Sequence, residues 1–152
     1  MAHSLFRVRL MRLTAHTDYA LRLLIFLMTH HPRRVSTKEA AEAYGISLNH
    51  LTKVAKALTK GGWIVTSKGG GGGLTLAPHT PETRLGEIVR HSETDCDMAE
   101  CFRLKENTCP IIGMCRLKPV LYRARQAFFE VLDGVTIQEI AGNTEELRKV
   151  LG

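Results

Sequence analysis

From about residue 11 onward the chain alternates between segments of helical hydrophobic spacing and short breaks marked by glycine or proline. Leu21, Leu24, Ile25 and Met28 recur at three- and four-residue intervals, which predicts a first amphipathic helix over 17–30. Thr17 or a neighbour would cap it, and Asp18 in its first turn suits the helix dipole. Ser36-Thr37-Lys38-Glu39 is a capping-box sequence, in which the serine hydroxyl and the glutamate carboxylate satisfy each other's free amides. It opens a short alanine-rich helix over 37–44, stopped by Gly45. A third helix over 48–60, with Ser47 as its cap, turns Leu51, Val54, Ala55 and Leu58 inward and ends at Gly61-Gly62. A short helix, a glycine turn and a longer helix make a helix-turn-helix unit.

The β-rich runs Trp63-Ile64-Val65-Thr66 and Leu74-Thr75-Leu76 closely flank Lys68 and the five glycines at 69–73, which favours a hairpin over a flexible linker. A hairpin directly after a helix-turn-helix is a wing. Pro78 and Pro81 then break the chain, and a short helix starting at Thr83 carries Leu85, Ile88 and Val89. Residues 116–133 form the most amphipathic segment, with Leu117, Leu121, Ala124, Phe128 and Val131 on one stripe, the candidate seam of a homodimer. Thr136-Ile137-Gln138-Glu139 is a second capping box opening a last short helix, and the tail beyond it is expected to fray. The predicted class is mainly α with a small β-hairpin. It divides into a disordered extension over 1–10, a winged helix-turn-helix DNA-binding domain over 11–80, a short helix and cysteine-rich cluster-binding loop over 81–115, and a dimerisation helix with a C-terminal short helix over 116–152.

Composition adds little to that outline: 44% of the 152 residues are hydrophobic and 24% charged, ordinary for a chain that folds around a core. The apolar run at 23–28 is far too short to cross a bilayer, and the first residues lack the apolar core of a signal peptide. A cytoplasmic protein with no membrane partner is expected. Charge changes the picture more. Residues 1–76 carry eleven Lys/Arg against three acids, a net +8, whereas residues 77–152 carry ten against twelve, a net −2. A basic helix-turn-helix head points to a polyanion, and double-stranded DNA fits it. Ser47, Asn49 and His50 lie at the start of the third helix, where such proteins meet base edges, and Asn49 has the chemistry to pair with adenine. Lys53, Lys56 and Lys60 further along that helix suit phosphates, and Lys68 with the bare backbone of Gly69 and Gly70 suits the sugar–phosphate edge or minor groove.

Cys96, Cys101, Cys109 and Cys115 are spaced by four, seven and five residues. In a cytoplasmic chain such clustering points to metal or redox chemistry rather than a structural disulfide. Spacing leaves zinc and an iron–sulfur cluster both open, because only the first interval comes near a zinc knuckle. Unliganded surface thiols are the plainer alternative. The phosphate-binding, nucleophile-elbow and zinc-protease motifs are all absent, so an enzyme is not expected.

Taken together, Thr14-Ala15-His16-Thr17-Asp18-Tyr19-Ala20-Leu21-Arg22, the Gly45-Ile46-Ser47 turn with Asn49-His50-Leu51, the Lys68-Gly69…Gly73-Leu74 wing and Cys109-Pro110…Cys115-Arg116-Leu117-Lys118 resemble the iron–sulfur winged-helix regulators of the IscR/NsrR/RirA family. Asn49-His50 and Ala99-Glu100-Cys101-Phe102 look most like its nitric-oxide-sensing members. The resemblance implies a homodimer on inverted-repeat operators and a cluster, 4Fe–4S in preference to 2Fe–2S, held by Cys101, Cys109 and Cys115. It also implies Asp18, from the other subunit, as fourth ligand, leaving a labile, gas-accessible iron. Cys96 is extra to the pattern and an alternative ligand; Lys68 stands where arginine is common, and Gly70 and Gly71 where side chains are common. The expectation is a repressor that releases its operator when nitric oxide attacks the cluster. An iron-status regulator of the same fold, and a zinc-stabilised winged-helix protein without redox sensing, are the alternatives.

Overall fold

In a computed structural model, which describes residues 12–103 and 105–152, the first helix (α1) runs over Ala15–His30. The extension expected over 1–10 lies outside the described residues. The cap is Thr14, whose hydroxyl accepts the Thr17 amide at 3.3 Å, so the helix starts two residues earlier than its hydrophobic spacing suggested. The inward face also differs from the expected stripe. Ala20, Leu23, Leu24, Phe26 and Leu27 are buried, while Leu21 and Met28 are only partly so. The reason is that α1 is the central helix, packed on several sides at once by later elements, so no single stripe describes it.

The helix-turn-helix forms as its sequence dictates. Ser36 caps α2 (Thr37–Tyr44): its hydroxyl accepts the Glu39 amide at 3.1 Å and the Glu39 carboxylate accepts the Ser36 amide at 2.6 Å. Gly45 closes the helix at φ 63°, a left-handed conformation that a Cβ would strain. α3 (Leu48–Lys60) buries Leu51, Val54, Ala55 and Leu58, as expected, but Ser47 makes no side-chain cap bond. Strands β1 (Ile64–Ser67) and β2 (Gly73–Leu76) pair antiparallel in the register Ile64↔Leu76. Val35 bridges Leu74 on the other edge of β2, through amide bonds of 3.1 and 2.7 Å, and ties the wing to the start of α2.

The Ser36–Glu39 box is also an acid-sensitive lock. The Ser36 amide first, then the Arg33 guanidinium at 2.8 Å, hold the Glu39 carboxyl down at about 2 from its ordinary 4.5. A depressed folded-state value means that this carboxylate's contribution is complete above about pH 4.5 and is lost as pH falls toward 2. Ser36→Ala is expected to cost about 1 kcal/mol at pH 7. For Glu39→Gln, thermal melts should show a deficit at pH 7 that shrinks between pH 4.5 and 2; a deficit constant with pH would contradict the lock.

A short 3₁₀ turn at Thr80–Glu82 precedes α4 (Leu85–Ser92), which therefore begins later than Thr83. The long helix α5 (Leu117–Asp133) follows the cysteine loop, and α6 (Ile137–Ala141) opens on the second capping box with Ile137 fully buried. α4 and α5 are riveted together. Arg90 donates to both Asp133 carboxylate oxygens at 2.7 and 2.6 Å and lies 4.3 Å over the Phe129 ring. Gly86 permits this, since a Cβ there would stand 2.0 Å from Asp133 Oδ1. The tail expected to fray is instead a seventh helix, α7 (Thr144–Leu151), capped by Asn143. Arg148 donates to the Thr29 carbonyl at 2.6 Å and Leu151 packs on the core, so tertiary contacts hold a segment too short to be stable alone.

Candidate nucleic-acid interface and metal centre

With Leu51, Val54, Ala55 and Leu58 anchored in the core, the opposite face of α3 is fixed outward. Asn49, Lys53, Lys56 and Lys60 share that face at four- and three-residue steps and are all exposed, as are Ser47 and His50 at the helix start. No acid pairs with these three lysines among the described residues. The Thr59 and Thr66 hydroxyls meet at 3.2 Å and join α3 to the wing. Between them opens a groove of about 400 Å³ lined by Thr37, Lys56, Thr59, Lys60, Thr66 and Leu74. Lys68, Gly69 and Gly70 are exposed at the wing tip, where the Gly72 amide turns back to the Gly69 carbonyl at 2.9 Å. The arrangement offers exposed polar side chains at the helix start, cations along it and a thin backbone ridge beside it.

Sequence reasoning missed Arg34 in this interface. Its guanidinium donates to the Gly71 carbonyl at 3.4 Å and steadies the wing. Only its positive charge was readable, because the approach depends on the Val35–Leu74 bridge.

The four cysteines are reduced and half-buried, with Cys101 in a 3₁₀ turn at Glu100–Phe102 and Cys115 at the entrance to α5. Among the described residues no three His, Cys, Asp or Glu side chains stand close enough to hold a metal ion. The donor chemistry fits an iron–sulfur cluster, because three unpaired thiols sit on one turn-rich loop. Among the described residues these thiols are not gathered into a ready-made site. Asp18 is apart from them: Arg22 grips its two oxygens at 3.1 and 2.9 Å within the same helix. Cys96 lines a cavity of about 260 Å³ between α4 and α5, beside Val89, Phe128 and Phe129 and the charged Glu93, Asp97 and Arg125. Burial first, then the Glu93 carboxylate, pushes its thiol up from the ordinary value.

The loop is moored to α5. Arg125 donates to Asp97 at 2.8 Å, lies 4.7 Å over the Phe102 ring and 5.5 Å over Tyr122, and Phe102 and Tyr122 stack at 6.4 Å. Arg103 pairs with Asp95 and, at 3.6 Å, with Asp97. A basic reading head and a thiol loop fastened to an adjoining helix are thus parts of one fold.

Residues 13–143 match the Rrf2 family, described as an iron-dependent transcriptional regulator. The chain belongs to the Rrf2 family. The HTH-type transcriptional regulator NsrR of Shouchella clausii is 42% identical over 142 residues, spanning 93% of this chain and 95% of that protein. NsrR of Bacillus subtilis is likewise 42% identical, over 93% and 97%. Among solved structures, the oxidised form of Staphylococcus aureus CymR superposes with a TM-score of 0.68 at 26% identity, covering 87% of this chain and 97% of that one. T. potens IscR superposes at 0.70, with 23% identity and 90% of each chain covered, a likeness of fold.

Membership in the Rrf2 family makes the protein a transcriptional regulator and not an enzyme, as its sequence suggested. The mainly helical architecture with one antiparallel hairpin is that of the solved winged-helix relatives. Among the described residues no helix is long and apolar enough to cross a membrane.

Proposed function

We infer that this Rrf2 regulator is a homodimeric repressor that reads an inverted-repeat operator and loses it when nitric oxide attacks its iron–sulfur cluster. The observation carrying the reading is the placement of Cys101, Cys109 and Cys115, reduced and unpaired, on the loop that feeds directly into α5, in a chain 42% identical to NsrR regulators. In this reading 11–80 is the DNA-binding head, 81–115 the cluster loop and 116–152 the dimerisation unit. Asn49 and His50 read base edges; Lys53, Lys56 and Lys68 contact phosphates; Gly69 and Gly70 let the wing approach the backbone. Cys101, Cys109 and Cys115 supply thiolates, and Asp18, turned from Arg22 toward the partner subunit, supplies a carboxylate. A 4Fe–4S cluster held by these residues would supply a centre reactive toward nitric oxide. Arg125 and the Arg90–Asp133 rivet then relate the state of the loop to the positions of the heads.

The test is anaerobic purification followed by a visible spectrum, iron and sulfide assays, and an operator gel shift before and after a nitric-oxide donor. Brown protein that binds the operator and releases it on exposure is the expected result. Unchanged binding would remove the sensing claim; release on iron limitation alone would assign iron status as the signal. Colourless protein holding stoichiometric zinc would replace the sensor with a structural metal.

A further inference from the structure

We propose that Glu100 is a positioning residue of the metal centre, whose carboxylate clasps Thr108 and holds Cys101 and Cys109 near each other before iron arrives. This rests on the reading of Cys101 and Cys109 as ligands. The Glu100 carboxylate accepts both the Thr108 amide at 2.5 Å and the Thr108 hydroxyl at 2.8 Å on a single oxygen. Glu100 precedes Cys101 and Thr108 precedes Cys109, so the clasp joins the two ligands' immediate neighbours. It has no other hydrogen-bond or ion-pair partner among the described residues, and the three-residue 3₁₀ turn that begins at Glu100 does not need it as a cap. The described residues between Glu100 and Thr108 form turns. The Arg103 amide returns to the Glu100 carbonyl at 2.9 Å, the Glu106 amide to the Arg103 carbonyl at 3.0 Å, and the Cys109 amide is taken by the Asn107 side chain at 3.2 Å. On the far side of Cys101, Phe102 is pinned under Arg125. Cys101 is thereby flanked by two fastened residues while its own thiol is left unpaired.

The physical consequence is preorganisation. A flexible loop of eight residues brings its ends together roughly twentyfold less often than one already closed, from the three-halves power of loop length. Groups hydrogen-bonded to a metal ligand itself typically carry about 10- to 100-fold in affinity, so an exposed clasp one residue removed from each ligand belongs at the low end of that range. Charge-assisted hydrogen bonds are the strong kind, which favours glutamate over a neutral acceptor for this clasp.

The experiment uses the full chain as Glu100→Ala, Glu100→Gln and Thr108→Val, each compared with wild type for fold by circular dichroism. Two readouts are taken. In metal-free protein carrying Cys96→Ser and Cys115→Ser, the rate at which a short bis-electrophile bridges Cys101 to Cys109 reports their proximity. In protein with all four cysteines, reconstituted with iron and sulfide, the rate of iron loss to a chelator reports retention. Glu100→Ala is expected to slow bridging and speed iron loss, each by about tenfold. Glu100→Gln, which keeps an acceptor oxygen, should recover most of both, and Thr108→Val, which keeps the amide bond alone, should fall between. Equal bridging in wild type and Glu100→Ala would overturn the clasp, and so would equal iron loss in the two. Slower bridging in Glu100→Ala, with a wild type that never takes up iron, would uphold the clasp and instead sink the metal-centre reading.

Discussion

Cys109→Ser protein purified without oxygen is expected to be colourless and to bind its operator no better than unrelated DNA, a loss on the order of 10³-fold. A serine hydroxyl does not ionise near neutral pH, so it cannot replace a thiolate on iron, and two remaining loop thiols do not complete the set. The loss should not come from unfolding. Cys109 is outside the core cluster and only half-buried, so the metal-free form should melt within about 0.5 kcal/mol of wild type. Cys96→Ser provides the contrast. Cys96 lines the α4–α5 cavity with Val89, Met98, Phe128 and Phe129 and is extra to the three-thiol set, so its loss should leave both colour and operator binding intact. Visible spectra and gel shifts on the two variants decide the matter. Brown Cys109→Ser with colourless Cys96→Ser would reverse the assignment.

The head was legible in sequence because its signals are local. Ser36 and Glu39 satisfy each other within one turn, Gly45 closes α2, and the four apolar positions of α3 repeat at helical spacing whatever surrounds them. What escaped was tertiary. The buried face of α1 was misplaced because later helices pack around it, and α7 was read as a frayed tail because its hold on Thr29 and the core lies over a hundred residues away in sequence. Among the candidate site residues, the lysines of α3 and the wing were visible in the sequence by charge and place. Arg34, Glu100 and Arg125 were not, since each acts through a partner that only the folded loop brings within reach.

Val131→Asp is expected to turn the protein into a monomer and to lower operator affinity by about 10²- to 10⁴-fold, the gain that two linked half-sites ordinarily provide. No residue of α5 is buried within the single chain. One stripe, Leu121, Arg125, Phe129 and Leu132, is partly covered by the chain's own loop and α4. A second stripe is open: Leu117, Val120, Phe128 and Val131 are 61%, 49%, 40% and 69% exposed. Leu121, expected on the outer seam, belongs with the partly covered stripe, and Val120 takes its place. In the dimeric repressor proposed above, an apolar helix face of this size is best covered by a second copy, and two-fold symmetry places each substitution in the seam twice. Two carboxylates set against each other in an apolar interface cost several kcal/mol, enough to dissociate it at micromolar concentration. Sedimentation before and after the change gives the answer, and a Val131→Asp dimer of undiminished affinity would place the seam elsewhere. The monomer also distinguishes the fourth ligand. If Asp18 is donated across the seam, the monomer loses its colour along with its partner; if ligation is complete within one chain, the colour survives the separation.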